Sequence, residues 1–259
     1  MKKTIITLLA LAGVAMGETT DLLASSTDWT LSGIDLADGV LKANGHWGGP
    51  YAYYTLGTPI TLNSNTSLEL SYTMSFESAS DVAGSVTLHS SSDVLAFGAK
   101  TYNGSDKDAP FCIGYSTEAD AISANAVTFT QGHANYYKLT SYTETSETVG
   151  LIEEKDEGDQ TIHTKVSHTI KETITWSDAE QKFVATIYID GAEAGTQIMG
   201  DSYVLNKISV GSEGDLWKNS QPAFSNMQLT ISTNAVPEPA TATLSLLALA
   251  GLAARRRRK

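Results

Sequence analysis

Leu68-Glu69-Leu70-Ser71-Tyr72-Thr73-Met74-Ser75-Phe76 alternates apolar and polar side chains without a break. Successive side chains of an extended chain point to opposite faces, so this stretch reads as a strand with one face on a core and one in water. Residues 162–176 repeat the pattern, with Ile162, Val166, Ile170, Ile174 and Trp176 on one face. The other face carries His163, Lys165, Ser167, Thr169, Lys171, Thr173 and Thr175. His168 and Glu172 fall on the apolar face, ~13 Å apart along an extended chain. They mark either a polar groove on the inner face or positions near the strand ends, and the second reading is preferred. Phe183 to Ile189 is apolar on both faces, as a central strand would be; Asp190-Gly191 supplies a hairpin turn, and Glu193 to Ile198 returns.

Shorter strand candidates are 29–34, 39–43, 51–56, 82–88, 93–97, 125–130, 135–142, 204–210 and 223–231. Turn formers separate them: Asn44-Gly45, Gly48-Gly49-Pro50, Asn103-Gly104, Glu157-Gly158 and Gly211. No interior stretch sustains helical periodicity, and no repeat of fixed period argues for a solenoid or propeller. About a dozen short strands without helices between them require antiparallel pairing, so an all-β, two-sheet sandwich or jelly roll is expected.

The second half sharpens this. Trp176 opens a stretch running to Tyr188-Ile189-Asp190-Gly191; Leu205-Asn206-Lys207-Ile208-Ser209-Val210-Gly211 follows, then Phe224 to Leu229. The order resembles the C-terminal half of laminin-G-like, concanavalin A-like lectin/glucanase domains, and Gly39 to Phe76 fits their first strands. The resemblance implies a jelly roll of two curved antiparallel sheets. It implies no activity, because function belongs to sites grafted onto a fold.

The chain has 259 residues and a formal net charge of −12. Seven of the 17 basic residues and one of the 29 acids lie in the two ends, so residues 18–236 carry ten cations against 28 acids, a net −18. Such a surface repels phosphate backbones, and nucleic acid is not an expected partner. The single cysteine, Cys112, allows no internal disulfide and reads as a small buried hydrophobe between Phe111 and Ile113.

Both ends read as trafficking signals. Lys2-Lys3, an apolar run from Ile5 to Ala15 and the small-x-small triplet Ala15-Met16-Gly17 form a secretory signal peptide over 1–17, with cleavage expected after Gly17. The far end reads Pro237-Glu238-Pro239, then an apolar run from Ala240 to Ala254, then Arg255-Arg256-Arg257-Arg258-Lys259. As a helix the run is ~22 Å long, short for a ~30 Å hydrocarbon core, and the basic cluster would stay on the cytoplasmic side. This order over 236–259 resembles the PEP-CTERM sorting signal of Gram-negative bacteria. The resemblance implies a short transmembrane sorting helix that anchors transiently. It also implies the secretion machinery and an exosortase-type membrane protease as partners, and a final place at the cell envelope, at the surface or outside the cell. Residues 18–235 are left as the sandwich domain.

Catalytic patterns are missing from that domain. Glycosidases need two carboxylates set across the scissile bond. Glu144 and Glu147 fall on opposite faces of a strand, and Glu153, Glu154, Asp156, Glu157 and Asp159 form a loop-like acidic run. That run is a solvated turn or, since hard oxygen ligands suit it, a calcium site without an EF-hand pattern. No resident cofactor or metal is otherwise expected. His46, His89, His133, His163 and His168 form no metal-binding spacing. Gly-x-Ser-x-Gly, a phosphate loop and Cys-x-x-Cys are absent. Trp47, Tyr51, Tyr53 and Tyr54 surround Gly48-Gly49-Pro50: either Tyr51 and Tyr53 (or Tyr54) belong to a strand facing the core, or Trp47, Tyr51 and Tyr54 build a sugar-stacking platform. The expected protein is an exported, non-enzymatic sandwich that binds polysaccharide or serves structurally. The alternatives are a glycan-active hydrolase with an unrecognised carboxylate pair and a purely structural matrix protein.

Overall fold

A computed structural model describes residues 16–44, 50–76, 83–100, 108–129, 136–139, 141–150, 152–157, 160–213 and 222–233. The signal peptide up to Ala15, Trp47, and the sorting tail with Pro237, Glu238, Pro239 and Arg255 to Arg258 lie outside them.

The first strands are β1 (Met16–Asp21), β2 (Trp29–Ser32), β3 (Ile34–Ala37), β4 (Val40–Ala43), β5 (Tyr51–Leu62), β6 (Thr66–Phe76), β7 (Ala83–His89), β8 (Val94–Lys100) and β9 (Asp108–Ser116). A short helix α1 (Ala119–Ser123) follows, then β10 (Ala126–Thr128), β11 (Tyr136–Lys138), β12 (Thr143–Gly150) and β13 (Ile152–Glu157). The chain continues through β14 (Gln160–Ser177), β15 (Lys182–Ile189), β16 (Ala192–Ile198), β17 (Tyr203–Glu213) and β18 (Ala223–Thr233).

Two antiparallel sheets form the sandwich. One runs β16-β15-β14-β6-β18-β4-β3, with β1 added to β18 and β13 to β14; the other runs β12-β9-β8-β7-β17-β5-β2. The alternation of 68–76 decides the packing. Leu68, Leu70, Tyr72 and Met74 are buried, while β6 pairs with β14 on one side and β18 on the other. Opposite them the second sheet contributes Val86, Leu88, Phe97, Phe111, Ile113, Ile208 and Val210 to the same core. Full burial of each large apolar side chain contributes ~1.5–3 kcal/mol. The Asp190-Gly191 turn forms as the sequence requires, with φ of 51° and 87°, a positive pair that glycine and aspartate tolerate and that suits the hairpin of β15 and β16.

The structure departs from the pattern of the sequence in five places. The strands are more numerous than a dozen, because β1, β3, β9, β12 and β13 escaped it. A 3-10 turn at Ser26–Asp28 and the helix α1 interrupt the strands. The segments expected as antiparallel strands at 125–130 and 135–142 form a short parallel pair, β10 with β11. The acidic run is no free loop: Ile152–Glu157 pairs along β14 from Lys165 to Gln160, because a ladder is made by the backbone whatever the side chains carry. Finally, Glu172 is not at a strand end. It sits mid-strand between Ile170 and Ile174, 0% exposed, on the inner face. His168 is not at a strand end either: it lies in the middle of β14, opposite Met74 and just past the end of the β15 ladder, with Nδ1 2.7 Å from Oδ2 of Asp190 in the hairpin turn.

Candidate functional site

On the seven-stranded sheet, the described outer positions fall into two zones. In the middle these outer positions are small: Ser85, Thr87, Ala96, Gly98, Cys112, Gly114, Ser209 and Gly211. Small side chains make a trough, and the chain fills it with its own segment. Ala121, Val127, Phe129 and Leu139 pack with Val94, Ala96 and Cys112 into a second, smaller core. The fit is tight: a Cβ on Gly98 would meet the Gly84 carbonyl and come 3.1 Å from Phe129 Cε2, and one on Gly114 would collide with Leu139 Cδ2. Cys112, 0% exposed, is thus the buried hydrophobe the sequence suggested.

Toward β5 the described outer positions turn aromatic instead of small. Tyr51 and Tyr53, two residues apart on β5, share the outer face and stack with ring centroids 6.3 Å apart and planes 6° from parallel. Both are half-buried. Register places Tyr53 between Thr30 and Ser209, and Tyr51 between Ser32 and Gly211. Lys207 reaches across, with Nζ 5.1 Å from the Tyr53 ring centroid and 3.4 Å from the Ala124 carbonyl, tying the covering segment to the edge of the tyrosine shelf. Partial burial holds the Lys207 ammonium below its usual pKa.

Behind the shelf lie groups already desolvated. His89 is buried, with Nε2 2.7 Å from Ser209 Oγ. Burial, with the nearby Lys207 charge adding to it, lowers its pKa to about 3, so the ring is neutral at physiological pH. His89 Nδ1 and Thr87 Oγ1 are buried without a protein partner.

The shelf differs from the platform read from sequence. Tyr51 belongs to it, Tyr54 does not, and Trp47 lies outside the described residues. Tyr54 faces inward beside Ala52, packing against the core and edge-on to Trp29 at 5.6 Å. Tyr53 takes its place, and strict alternation through Tyr51-Ala52-Tyr53-Tyr54, with the small Ala52 pointing inward, is the signal that finds it.

A second concavity, a crevice of about 160 Å³, is lined by Tyr115, Ser116, Thr117, Glu118, Leu139 and Ser141. That is below the ~300–1,000 Å³ of typical small-molecule sites. Next to it Asp93, 3% exposed, accepts hydrogen bonds from Tyr115 Oη and from Ser92 Oγ. Burial and that carboxylate push the Tyr115 phenol up. Inside the sandwich, Tyr72 Oη donates to Glu172 Oε1 at 2.7 Å, and Tyr203 Oη donates to the Leu88 carbonyl at 2.8 Å. Burial raises the Glu172 carboxyl well above its usual range, and the bond from Tyr72 pulls weakly the other way. Among the described residues, no group of three or more His, Cys, Asp or Glu side chains is placed to hold a metal ion. Glu144 is exposed on β12, where a register shift between Glu144 and Thr148 bends the strand.

Residues 235–259 match the PEP-CTERM protein-sorting motif. That signal indicates export and a location at the cell envelope or surface. No curated protein matches the chain. Among solved structures, the T. cruzi calreticulin globular domain is similar at 13% identity and TM-score 0.49, covering 90% of this chain and 92% of that one. The lectin from Bauhinia forficata in complex with GalNAc is similar at 12% identity and TM-score 0.42, covering 86% and 100%. The Crh5 transglycosylase in complex with NAG is similar at 15% identity and TM-score 0.44, covering 85% of each chain. The architecture described above rests on the strand ladders themselves, not on these likenesses. Among the described residues, no helix is long and apolar enough to cross a membrane.

Proposed function

We propose that this chain is exported through its signal peptide, held briefly in the membrane by the 240–254 segment, and released to the surface or surroundings by an exosortase-type protease. There it serves as a non-catalytic sandwich that binds polysaccharide. The observation that carries the binding half is the stacked, half-exposed pair Tyr51 and Tyr53 beside Lys207. Aromatic faces pack against the C–H face of a pyranose, while the phenol and neighbouring hydroxyls offer hydrogen bonds to its ring substituents. Thr30, Ser32 and Ser209 lie next to the two rings in register.

The non-catalytic half is supported by where the acids sit. Glu172 is closed inside the sandwich and Asp93 is engaged by Tyr115 and Ser92, so neither carboxyl is free to approach a glycosidic bond. A hydrolytic site needs two acids facing one groove, ~5–10 Å apart.

The test is a polysaccharide array probed with the processed protein, with and without added calcium. Selective retention of one glycan class supports the reading, and calcium dependence would place a cation at the site. A folded protein that retains no glycan under either condition contradicts it. Release of reducing ends from a retained glycan would contradict the non-catalytic half.

A further inference from the structure

We propose that the glycan seated on the tyrosine shelf is an acidic one, and that Lys207 takes its negatively charged substituent, a uronate carboxylate or a sulfate ester. The proposal rests on the sugar-binding reading above and names the class of ligand for that same site.

The register of β17 places the lysine. Lys207 lies opposite His89 on β7 and Thr55 on β5, while Ser209 lies opposite Thr87 and Tyr53. Tyr51, Tyr53 and Thr55 are alternate residues of one strand, so the shelf runs along β5 toward Lys207. There the ladder is interrupted. Leu205 pairs with Ile60 and Lys207 with Thr55, so β5 bulges with Leu56 to Pro59 opposite Asn206 alone. A bulge re-aims the side chains beside it and ends the regular pairing. Thr55, Gly57 and Thr58 are exposed, and a Cβ on Gly57 would meet nothing within 4 Å. The chain therefore leaves room on this side of the shelf.

The charge on Lys207 is unmatched. Residues 18–236 hold 28 acids against ten cations, so a lysine here has acids in excess to pair with. Lys171 does so, 3.9 Å from Glu69. Among the described residues, no carboxylate lies within ion-pair distance of Lys207. Its contacts are the Tyr53 ring, with the centroid 5.1 Å from Nζ, and the Ala124 carbonyl at 3.4 Å. An ammonium has three donors, and that single acceptor lies beyond the ~2.7–3.2 Å of a good N–H···O bond. Half-burial makes the missing counter-charge costly: it lowers the Lys207 pKa, and no neighbouring acid raises it again. The side chains beside it add no charge, since His89 is neutral and Thr87 and Ser209 are hydroxyls. One cation braced on an aromatic face matches one anionic substituent. An anion at Nζ would supply acceptors where water is partly excluded, which strengthens the pair relative to open surface.

Long-range attraction plays no part. The net −18 of residues 18–236 repels an anion at a distance. At ~0.15 M salt that repulsion is screened beyond ~8 Å. The preference for an acidic sugar comes from the contact itself.

The test is a polysaccharide panel at fixed ionic strength without calcium, probed with the processed protein. Each acidic member is paired with its own uncharged backbone: polygalacturonate and alginate with their carboxyl-reduced polymers, dextran sulfate with dextran. At least one acidic member should bind about tenfold or more tightly than its uncharged counterpart. The first two arms report a carboxylate and the third a sulfate. Lys207→Met keeps the stem that packs on Tyr53 and removes the charge, and should bring that ratio to about one. Lys171→Met removes the same charge from the other sheet and should leave the ratio unchanged; circular dichroism checks that both variants are folded. Equal binding of acidic and uncharged partners overturns the assignment and leaves the sugar-binding reading standing. An acid preference that survives Lys207→Met overturns the role of Lys207. A protein that binds no member overturns the sugar-binding reading, and this proposal with it.

Discussion

Tyr72 Oη donates a hydrogen bond to Oε1 of Glu172 across 2.7 Å in the middle of the sandwich, where both side chains are closed to solvent. The second carboxyl oxygen, Oε2, has no protein partner. A carboxylate buried in this way is costly, so burial favours the protonated acid and raises its pKa.

Stability should therefore depend on pH from two sides. Glu172 has its folded pKa raised above the ordinary value of 4.5, so its contribution is fully present below about pH 4.5 and is lost as pH rises through the folded value. His89 runs the other way: lowered from 6.5 to about 3, it contributes fully above about pH 6.5 and loses that contribution as pH falls toward 3. Each slope is at most ~1.4 kcal/mol per pH unit. Between about 4.5 and 6.5 the two oppose each other, so denaturation midpoints should peak broadly there. Glu172→Gln should flatten the alkaline limb and His89→Gln the acid limb; an alkaline limb unchanged in Glu172→Gln contradicts this account. Tyr72→Phe, leaving the carboxyl without its donor, should cost ~1–3 kcal/mol at pH 4.

The covering segment should be held by shape. Gly114→Ala places a methyl where Leu139 Cδ2 lies, and overpacking of this kind costs ~1–3 kcal/mol. Leu139→Ala alone should also destabilise, by leaving a cavity. Together the two changes should cost less than their sum, and a double-mutant cycle by urea denaturation measures the coupling. Simple additivity would show that Leu139 does not rest on Gly114.

Replacing Pro237, Glu238 and Pro239 by alanine should leave full-length protein in the membrane fraction, because the recognition segment would be gone while the apolar run and Arg255 to Arg258 remain. Fractionation followed by mass measurement of the C-terminus reads the result. Unchanged processing contradicts the assignment of the cut to this motif.

The alternation of 68–76 and 162–176, and the turn at Asp190-Gly191, were readable because one face of each strand is dry and the other wet. Strand β9 was not. Phe111 and Ile113 point into the main core while Cys112 and Gly114 lie under the covering segment, so both faces are buried and the alternation disappears. β13 was hidden for the opposite reason: Glu153, Glu154, Asp156 and Glu157 advertise a loop, yet a strand paired through its backbone tolerates charge. At the candidate site, the cluster of aromatic residues was visible but their sidedness was not. Tyr51 and Tyr54 are an odd number of residues apart, so a continuous strand must separate them, and the one-sided pair is Tyr51 with Tyr53. Glu172 shows the limit of pattern reading, because nothing in the spacing announces that Tyr72, diagonal to it across the ladder of β6 and β14, donates a hydrogen bond to the buried acid.

The most direct test of the central claim is a calorimetric titration of the processed protein with the glycan it retains, comparing wild type, the double variant Tyr51→Ala/Tyr53→Ala, and Tyr54→Ala. The shelf predicts that the double variant stays folded and loses at least about tenfold in affinity, ~1.4 kcal/mol. Tyr54→Ala should lower the melting temperature through lost packing on Trp29, with affinity unchanged. Equal affinity in the double variant and wild type would contradict the account and move the binding surface elsewhere on the sandwich.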